Sequence, residues 1–261
     1  MLELTQLRLD RDGRTVLNGI TVQAQVGQIT ALLGPNGAGK SSLLSVAAGE
    51  LVATSGQCTF DGLNMAGQHP RHAARRRAML PQQSALDFDF TVDDVVALGA
   101  SPFPEIPTEG LDGLCKSVMR LTDTDALIGR RYPALSGGER QRVQIARVLV
   151  QACAAAALGP ALLLLDEPTA SLDPRHQHVL LAGLRELCRN VPLAIVASLH
   201  EVNHAVAYAD HCWLIKSGEL VATGAPEMAL GLDVLSAAFE IPVHRAGQYF
   251  IFALPAGESP R

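Results

Sequence analysis

The chain has 261 residues, with 21 Lys and Arg against 26 Asp and Glu, giving a formal net charge of −5. This mildly acidic balance argues against a dedicated nucleic-acid binder, which usually presents a basic face. The five cysteines are scattered, and none forms a CxxC pair. Their odd number and wide spacing indicate reduced, mostly buried thiols in a cytosolic protein instead of a disulfide framework.

The first third of the chain alternates strand and helix patterns. Residues 2–9 and 20–26 alternate apolar and polar side chains, which predicts antiparallel strands and not a signal peptide. Residues 28–33 read QITALL and predict a buried strand that runs through a Gly-rich turn into a helix at 40–49. Nearly half of all residues are apolar, which is enough for a sizeable core.

The pattern changes to helices between about residues 84 and 155 and then returns to strands. Apolar runs at 161–165 and 193–199 predict two buried parallel strands. Residues 211–224 predict a hairpin that turns at Ser217 and Gly218. We therefore expect one α/β domain over residues 1–261, with an antiparallel β subdomain and a helical subdomain inserted in the core at about 84–155.

Residues 148–165 form an apolar stretch long enough to suggest a membrane span. However, Gln151 and the Gly159-Pro160 pair interrupt it, and Asp166 follows it directly. We interpret the stretch as a helix end, a turn and a buried strand.

Residues 34–41 read GPNGAGKS and match the phosphate-binding pattern GxxxxGK(S/T) in full, after a buried strand and before a helix. Glycines let the backbone wrap round phosphate oxygens, Lys40 can reach the β- and γ-phosphates, and Ser41 can ligate Mg²⁺. A plain Gly-rich turn is the alternative. The predicted nucleotide-binding residues here are Gly34, Pro35, Asn36, Gly37, Ala38, Gly39, Lys40, Ser41 and Ser42.

Two acids follow the apolar run at 161–165. That run would carry Asp166 to the carboxyl end of its strand, where α/β sheets bind ligands, and there it could hold Mg²⁺ through water. Glu167 would lie next to the γ-phosphate and could orient and deprotonate an attacking water. Taken alone, the pair could also be two solvated acids at a strand end.

A second anion-binding helix start is predicted at residues 134–142, which read ALSGGERQR. Ser136 is a natural helix N-cap, and Gly137 and Gly138 leave the first backbone N–H groups uncovered.

Six motifs occur in a fixed order: residues 34–41, Gln82 in MLPQQ, LSGGE at 135–139, LLLLDEP at 162–168, SLD at 171–173, and His200. This ordered set resembles the ATP-binding subunits of ABC transporters over nearly the whole chain. The resemblance implies an ABC-type P-loop ATPase cassette that uses ATP and Mg²⁺.

The resemblance also implies roles for residues outside the Gly-rich loop. In that family the LSGGE helix contacts the nucleotide held by the other subunit of a head-to-tail homodimer. The residues implied to act in trans are Ser136, Gly137, Gly138, Glu139 and Asp173. Gln82 would link Mg²⁺ and water to the membrane subunits, although Gln83 could take that role, and His200 would hydrogen-bond the γ-phosphate unless it is an ordinary surface histidine.

The family usually stacks an aromatic residue on adenine before its second strand, and the matching segment here has no ring. Arg11 lies in that segment, and a guanidinium can also stack on a base. A solvated surface arginine is the alternative.

Residues 200–204 read HEVNH, which is also the zinc-protease signature HExxH. That site needs both histidines on one helix face, whereas His200 directly follows a β-branched apolar run and is expected at a strand end. We therefore favour the transporter interpretation over the protease.

The chain lacks fused membrane helices and a second cassette, which favours an importer subunit over an exporter or a soluble ABC ATPase. Residues 90–103 and 171–177 are similar to importers of iron-siderophores, cobalamin and haem, and residues 151–160 resemble the haem-importer (HmuV-type) ATPases. The expected partners are a second copy, two transmembrane permease subunits and, indirectly, a periplasmic substrate-binding protein, at the cytoplasmic face of the bacterial inner membrane. Residues 71–77 are expected to form a solvated helix face or to lie near acidic permease loops or lipid headgroups.

Overall fold

The computed structural model describes residues 1–82 and 89–253. Strands form three sheets in this part of the chain. Their bounds are β1 (Leu2–Arg11), β2 (Arg14–Ala24), β3 (Ile29–Leu33), β4 (Ser55–Phe60), β5 (Leu63–Asn64), β6 (Arg77–Leu80), β7 (Ala161–Leu165), β8 (Leu193–Ser198), β9 (His211–Lys216), β10 (Glu219–Gly224), β11 (Val243–Ala246) and β12 (Tyr249–Phe252).

Helices connect and cover these sheets. Their bounds are α1 (Lys40–Ala47), α2 (Pro70–Ala74), α3 (Val92–Ala97), α4 (Thr108–Leu121), α5 (Gly137–Ala156), α6 (Pro174–Asn190), α7 (Val202–Tyr208), α8 (Pro226–Ala229) and α9 (Leu232–Phe239).

The central sheet has the strand order β10-β9-β3-β8-β7-β6, and all of its neighbouring pairs are parallel except β9 with β10. Every residue of β3, β7 and β8 is buried. Helices and the second sheet cover both faces, so these strands are apolar except at Thr30 and Ser198, which is typical of a buried parallel sheet. The predicted strands at 28–33, 161–165 and 193–199 are therefore confirmed.

The second sheet is antiparallel, with the order β2-β1-β4-β5. Its inner face packs with α1 and with Trp213 of β9 in one apolar cluster. The strand predicted at 20–26 begins earlier, at Arg14, because β1 and β2 form a tight hairpin in which Arg11 pairs with Arg14. The hairpin predicted at 211–224 is confirmed by the pairing of β9 with β10.

Helices α3, α4 and α5 lie between β6 and β7 in chain order, where the helical insertion is predicted; its expected start at residue 84 lies outside the described residues. The apolar stretch 148–165 is the end of α5, a turn at Gly159 and the strand β7, as predicted. No helix in the described ranges is long and apolar enough to cross a membrane.

The predicted solvated helix face at 71–77 is only partly right. Helix α2 ends at Ala74, and Arg77 is the first residue of β6, where its side chain is mostly buried. Arg75 donates hydrogen bonds to the Pro102 carbonyl and to Glu105 in the loop before α4. These contacts tie the basic segment to the helical region.

The C-terminal hairpin of β11 and β12 is not predicted from the sequence. Asn203 of α7 joins it to the core: its side-chain amide donates to the Phe250 carbonyl at 3.0 Å and its oxygen accepts from the Phe250 N–H at 2.8 Å. The Asn203 amide therefore satisfies both backbone groups of Phe250, as a neighbouring strand would.

Thiol reactivity tests the predicted burial of the cysteines. Burial raises the pKa of Cys58, Cys188 and Cys212 to about 12, and none of the five cysteines is in a disulfide. We expect these three thiols to react with a disulfide reagent at pH 8 only after denaturation, because the thiolate is the reactive form. Counting modified cysteines by mass spectrometry before and after unfolding checks this, and rapid labelling of all three in the folded protein would contradict it.

Candidate functional site

Four segments meet at the carboxyl edge of the central sheet: the loop between β3 and α1, and the residues that follow β6, β7 and β8. They surround a cavity of about 410 Å³. The carboxyl ends of parallel strands are the usual binding edge of an α/β sheet. The lining residues are Val16, Asn36, Gly37, Gly39, Lys40, Ser41, Ser42, Gln82, Glu167 and His200.

The loop between β3 and α1 is closely packed at two glycines that have positive φ. At Gly34, with φ of 151°, a Cβ atom would lie 2.1 Å from the carbonyl oxygen of Ile215. At Gly39, with φ of 103°, a Cβ would lie 2.9 Å from the Cδ2 atom of Leu17. Glycine is therefore required for this path of the backbone. Because no side chain caps the start of α1, its first N–H groups remain for an anionic ligand.

Among residues 34–42, all of which the structure describes, Lys40 is the charged residue, and it is buried. Its ammonium donates to the carbonyl oxygens of Gly34 at 2.8 Å and Pro35 at 3.1 Å. Burial lowers the pKa of Lys40, and the carboxylates of Glu167 and Asp166 oppose that shift. The lysine therefore places a positive charge between the loop and the two acids.

Asp166 and Glu167 are held at the end of β7 by a side chain of the neighbouring strand. The Ser198 hydroxyl, at the end of β8, donates to Asp166 Oδ1 at 2.7 Å and accepts from the Glu167 N–H at 2.8 Å. Asp166 and Ser198 are both buried. One hydroxyl thus uses both its donor and its acceptor capacity to fix the two acids relative to β8.

Glu167 has a left-handed backbone, with φ of 50°. This conformation is uncommon for a residue other than glycine, and it is a form of strain that occurs often at functional sites. It turns the side chain so that Oε1 lies 2.8 Å from His200 Nε2 and Oε2 accepts from Gln82 Nε2 at 3.2 Å. The structure therefore brings together the three residues predicted as catalytic.

Ser198 is not among the site residues predicted from the sequence. The available signal was its position: it ends the strand LAIVAS, in which the other five residues are apolar. A buried hydroxyl at the carboxyl end of such a strand needs a partner, and a neighbouring strand end is the nearest source of one. The partner, Asp166, lies 32 positions earlier in the chain.

The second predicted helix start is formed as expected. Ser136 caps α5 in a capping box: its hydroxyl accepts from the Glu139 N–H at 3.3 Å, and the Glu139 carboxylate accepts from the Ser136 N–H at 2.8 Å. The Ser136 bonds and then Arg130 lower the pKa of Glu139 to about 2. Gly137 is exposed and Gly138 is half-buried.

None of the five residues implied to act in trans lines the 410 Å³ cavity of its own chain. Asp173 is exposed and caps α6 by accepting from the His176 N–H at 3.0 Å. A Cβ on Gly138 would lie 2.9 Å from the Ser171 carbonyl oxygen. The start of α5 and the residues before α6 therefore form one adjoining surface, separate from the Lys40 cavity.

Arg11 lies at the end of β1, at a neighbouring depression of about 430 Å³. Val16 and Ser42 line both this depression and the Lys40 cavity. Arg11 is therefore next to the predicted phosphate site. Gln83, the alternative to Gln82, lies outside the described residues.

The two histidines of HEVNH point to different partners. His200 follows β8 and contacts Glu167, whereas His204 is buried in α7, where its ring lies 5.2 Å from that of His178. Glu201 is the N-cap residue of α7, so His200 lies outside the helix. The described ranges hold no group of three or more His, Cys, Asp or Glu side chains arranged for a metal ion. The geometry does not fit the protease interpretation.

A family model described as "ABC transporter" matches residues 17–170, which is more than half of the chain. The chain belongs to the ABC transporter family. The match includes the Gly-rich loop, the capped start of α5 and the acids that end β7. Binding of ATP is the shared property of this family's cassettes.

The alignments with curated relatives cover most of this chain and most of each relative. The chain is 42 % identical over 233 residues, 89 % of each chain, to the hemin import ATP-binding protein HmuV of Bordetella parapertussis. It is 43 % identical to the HmuV of Shewanella denitrificans, over 90 % of this chain and 92 % of that one.

Solved ABC structures share the fold. An ATP-binding subunit of an ABC transporter aligns with a TM-score of 0.76 and 24 % identity, over 92 % of this chain and 93 % of that one. The cbiO1 protein of Clostridium perfringens, part of the cbiONQ transporter complex, aligns with a TM-score of 0.74 and 28 % identity, over 87 % and 89 % of the two chains.

Replacing Ser198 tests whether its hydroxyl positions the two acids. In Ser198→Ala, Asp166 and the Glu167 N–H each lose a partner, which should lower the free energy of unfolding by about 1–3 kcal/mol. Because the two acids are then less well positioned, we expect kcat for ATP hydrolysis to fall roughly tenfold. The KM for ATP should change less than twofold, because the Gly-rich loop is untouched. Ser198→Thr keeps the hydroxyl and should recover most of the kcat. An unchanged kcat in a well-folded Ser198→Ala protein would contradict this role.

Proposed function

We propose that this protein is the ATP-hydrolysing subunit of a bacterial ABC importer, and that the imported compound is hemin. The observation that carries the ATPase assignment is the Glu167 carboxylate, which lines the Lys40 cavity, accepts a hydrogen bond from Gln82 and contacts His200. The relatives named as hemin import ATP-binding proteins, about 42 % identical over most of the chain, support the choice of compound.

The Gly-rich loop would bind the ATP phosphates. The uncapped backbone N–H groups at the start of α1 would face the anion, and Lys40 would exchange its loop carbonyls for β- and γ-phosphate oxygens. Arg11 would stack on the base from the adjoining depression. The backbone N–H groups and Lys40 would thus bind the triphosphate, and Arg11 would bind the base. In this arrangement the γ-phosphate would point towards Glu167.

Glu167 would act as the general base. Its carboxylate lies between two side chains that carry N–H donors, and so it is held in one orientation for an attacking water. His200 would then donate to the γ-phosphate, and Gln82 would connect this site to the segment that follows β6. These roles place proton removal and charge stabilisation on neighbouring side chains at the same phosphate.

The donor set fits Mg²⁺, which prefers oxygen ligands and retains several waters. Ser41 offers a hydroxyl, Gln82 an amide oxygen, and Asp166 the carboxylate oxygen that Ser198 does not use. When bound, Mg²⁺ would neutralise charge on the phosphates, with Asp166 contacting it through water.

The working unit would be a head-to-tail homodimer. The capped start of α5 and Asp173 form a surface apart from the Lys40 cavity of the same chain. Facing the partner's cavity, the uncovered N–H groups at Gly137 and Gly138 would complete its γ-phosphate site together with Ser136 and Glu139. Each ATP would then be enclosed between two subunits.

Residues 1–261 would act as one ATPase domain, with the helices between β6 and β7 as the inserted subdomain. We place it at the cytoplasmic face of the inner membrane, bound to two permease subunits and acting indirectly with a periplasmic binding protein. The second candidate is import of ferric siderophores or cobalamin, because residues 90–103 and 171–177 are similar to a branch that includes these importers together with those of haem. A soluble, non-transport ATPase is the third.

Glu167→Gln tests the assignment of the general base. The amide keeps the size of the side chain but cannot accept the proton, so kcat for ATP hydrolysis should fall by about a hundredfold or more. ATP binding should persist, and ATP should trap the dimer, which sedimentation can follow. Lys40→Ala is the control that should lose ATP binding itself. Normal turnover by Glu167→Gln would exclude this residue as the base.

Transport by the reconstituted complex tests the imported compound. The chain is copurified with its membrane partner and placed in proteoliposomes containing ATP, with the matching binding protein outside. We expect ATP-dependent uptake of hemin, and none with Glu167→Gln. Preferential uptake of a ferric siderophore or of cobalamin would identify the second candidate as correct. A chain that hydrolyses ATP but copurifies with no membrane partner would favour the third.

A further inference from the structure

The segment between the acids of β7 and helix α6 is fastened by its carbonyl groups. We call residues 169–173 the connecting loop. Gln177, in the first turns of α6, donates from its amide to the carbonyl oxygens of Thr169 and Leu172, each at 3.0 Å. One side chain therefore bonds the connecting loop at two points and limits its conformations.

His176 fastens the end of the same loop. Its Nδ1 lies 2.7 Å from Asp173 Oδ2, and its Nε2 lies 3.1 Å from Asp123 Oδ2. The ring is mostly buried. Both neighbours are carboxylate oxygens, which accept hydrogen bonds, so each contact is satisfied by an N–H on the ring nitrogen that faces it. His176 therefore joins Asp173 to a residue outside the loop.

That outside residue belongs to the helical region. Asp123 lies in the turn after α4, with φ of 52°, and it also accepts from Arg175 at 2.9 Å. Hydrogen bonds from Arg175 and then His176 lower the pKa of Asp123, and the bonds from His176 lower that of Asp173. Arg175 and His176 of α6 thus both contact one carboxylate on the helical region.

The connecting loop also abuts the start of α5. The Ser171 carbonyl oxygen is so close to Gly138 that a Cβ there would approach it to 2.9 Å. The connecting loop is therefore hydrogen-bonded to α6 on one side and packs against the start of α5 on the other. A shift of the loop moves Asp173 and Ser171 relative to Ser136.

We propose that His176 and Gln177 are positioning residues that hold the connecting loop against the start of α5, so that Asp173 and Ser136 face the partner's ATP as one preorganised surface. The Asp123 contact extends this surface to the helical region. The proposal rests on the head-to-tail dimer of the proposed function. It gives the His-Gln pair at 176–177 a physical role that does not involve the transported compound.

The chemistry predicts a specific kinetic pattern. The two residues are absent from the lining of the Lys40 cavity, so ATP binding by a single chain should not depend on them. Dimer closure and hydrolysis should depend on them, because misplacing a group that completes a reactive geometry costs rate more than binding.

The test compares Gln177→Glu, His176→Ala and Asp123→Asn with the matched control His178→Ala, on the same helix. In Gln177→Glu the size is kept, but a carboxylate cannot donate to the Thr169 and Leu172 carbonyls. We measure kcat and KM for ATP, binding of a fluorescent ATP analogue at low protein concentration, and ATP-driven dimerisation in the Glu167→Gln background. Thermal unfolding identifies any variant that fails to fold.

We expect Gln177→Glu and His176→Ala to lower kcat about tenfold and to weaken dimerisation, with single-chain affinity for the analogue within twofold of wild type. Asp123→Asn, at the exposed end of the link, should fold normally and show a smaller loss, and His178→Ala should match wild type.

Two results would overturn the proposal: variants that match His178→Ala, or a loss of analogue affinity in proportion to kcat. Failure of the proposed function is distinguishable, because wild-type protein would then fail to hydrolyse ATP or to dimerise with it.

Discussion

The hydrogen bonds of Ser198 are the constraint on which the site depends. They join the ends of β7 and β8 and fix the backbone from which Asp166 and Glu167 project. Removing a charge such as Asp166 from water is costly unless it is hydrogen-bonded, and the Ser198 hydroxyl meets that need. The same hydroxyl supports the left-handed backbone of Glu167, which in turn directs its carboxylate to Gln82 and His200.

A steric constraint acts on the opposite side of the cavity. The Ile215 carbonyl of β9 lies where a Cβ of Gly34 would be, so the phosphate-binding loop begins in direct contact with the neighbouring strand. This close approach packs the loop directly against the sheet and places Lys40 near the two acids that follow β7. The loop and the acids thus share one rigid support, the carboxyl edge of the central sheet, and their spacing needs no flexible element.

The parts that could be predicted from the sequence are those set by local pattern. Buried strands such as β3 and β7 are continuous apolar runs, and the Gly-rich loop is a contiguous motif whose lysine and serine line the expected cavity. The capping box of Ser136 and Glu139 is likewise contained within four residues. In each case the interacting groups are neighbours in the sequence.

The parts that were missed depend on contacts between distant residues. Strand β6 begins with Arg77 at the edge of the sheet, so a basic run resembles a solvated helix although the Arg77 side chain is mostly buried. Ser198 acquires its role only when β8 lies beside β7, and His176 when the turn after α4 reaches α6. The hydrophobic pattern of a single strand or helix does not indicate these pairings, because the residues meet only when distant elements pack together.

The strand order has a consequence for how the protein is made. Strand β3, which leads into the phosphate-binding loop, lies between β8 and β9, and these two strands are encoded more than 150 residues later. As the chain leaves the ribosome from its N-terminus, β3 emerges with both edges unpaired and cannot join its sheet until residues up to about 216 have followed. Pairings of such long sequence separation form slowly. The nucleotide site is thus among the first segments synthesised and among the last to be completed. During that interval the two edges of β3 are free to pair with another chain, so β3 must be protected from aggregation by something other than its own sheet.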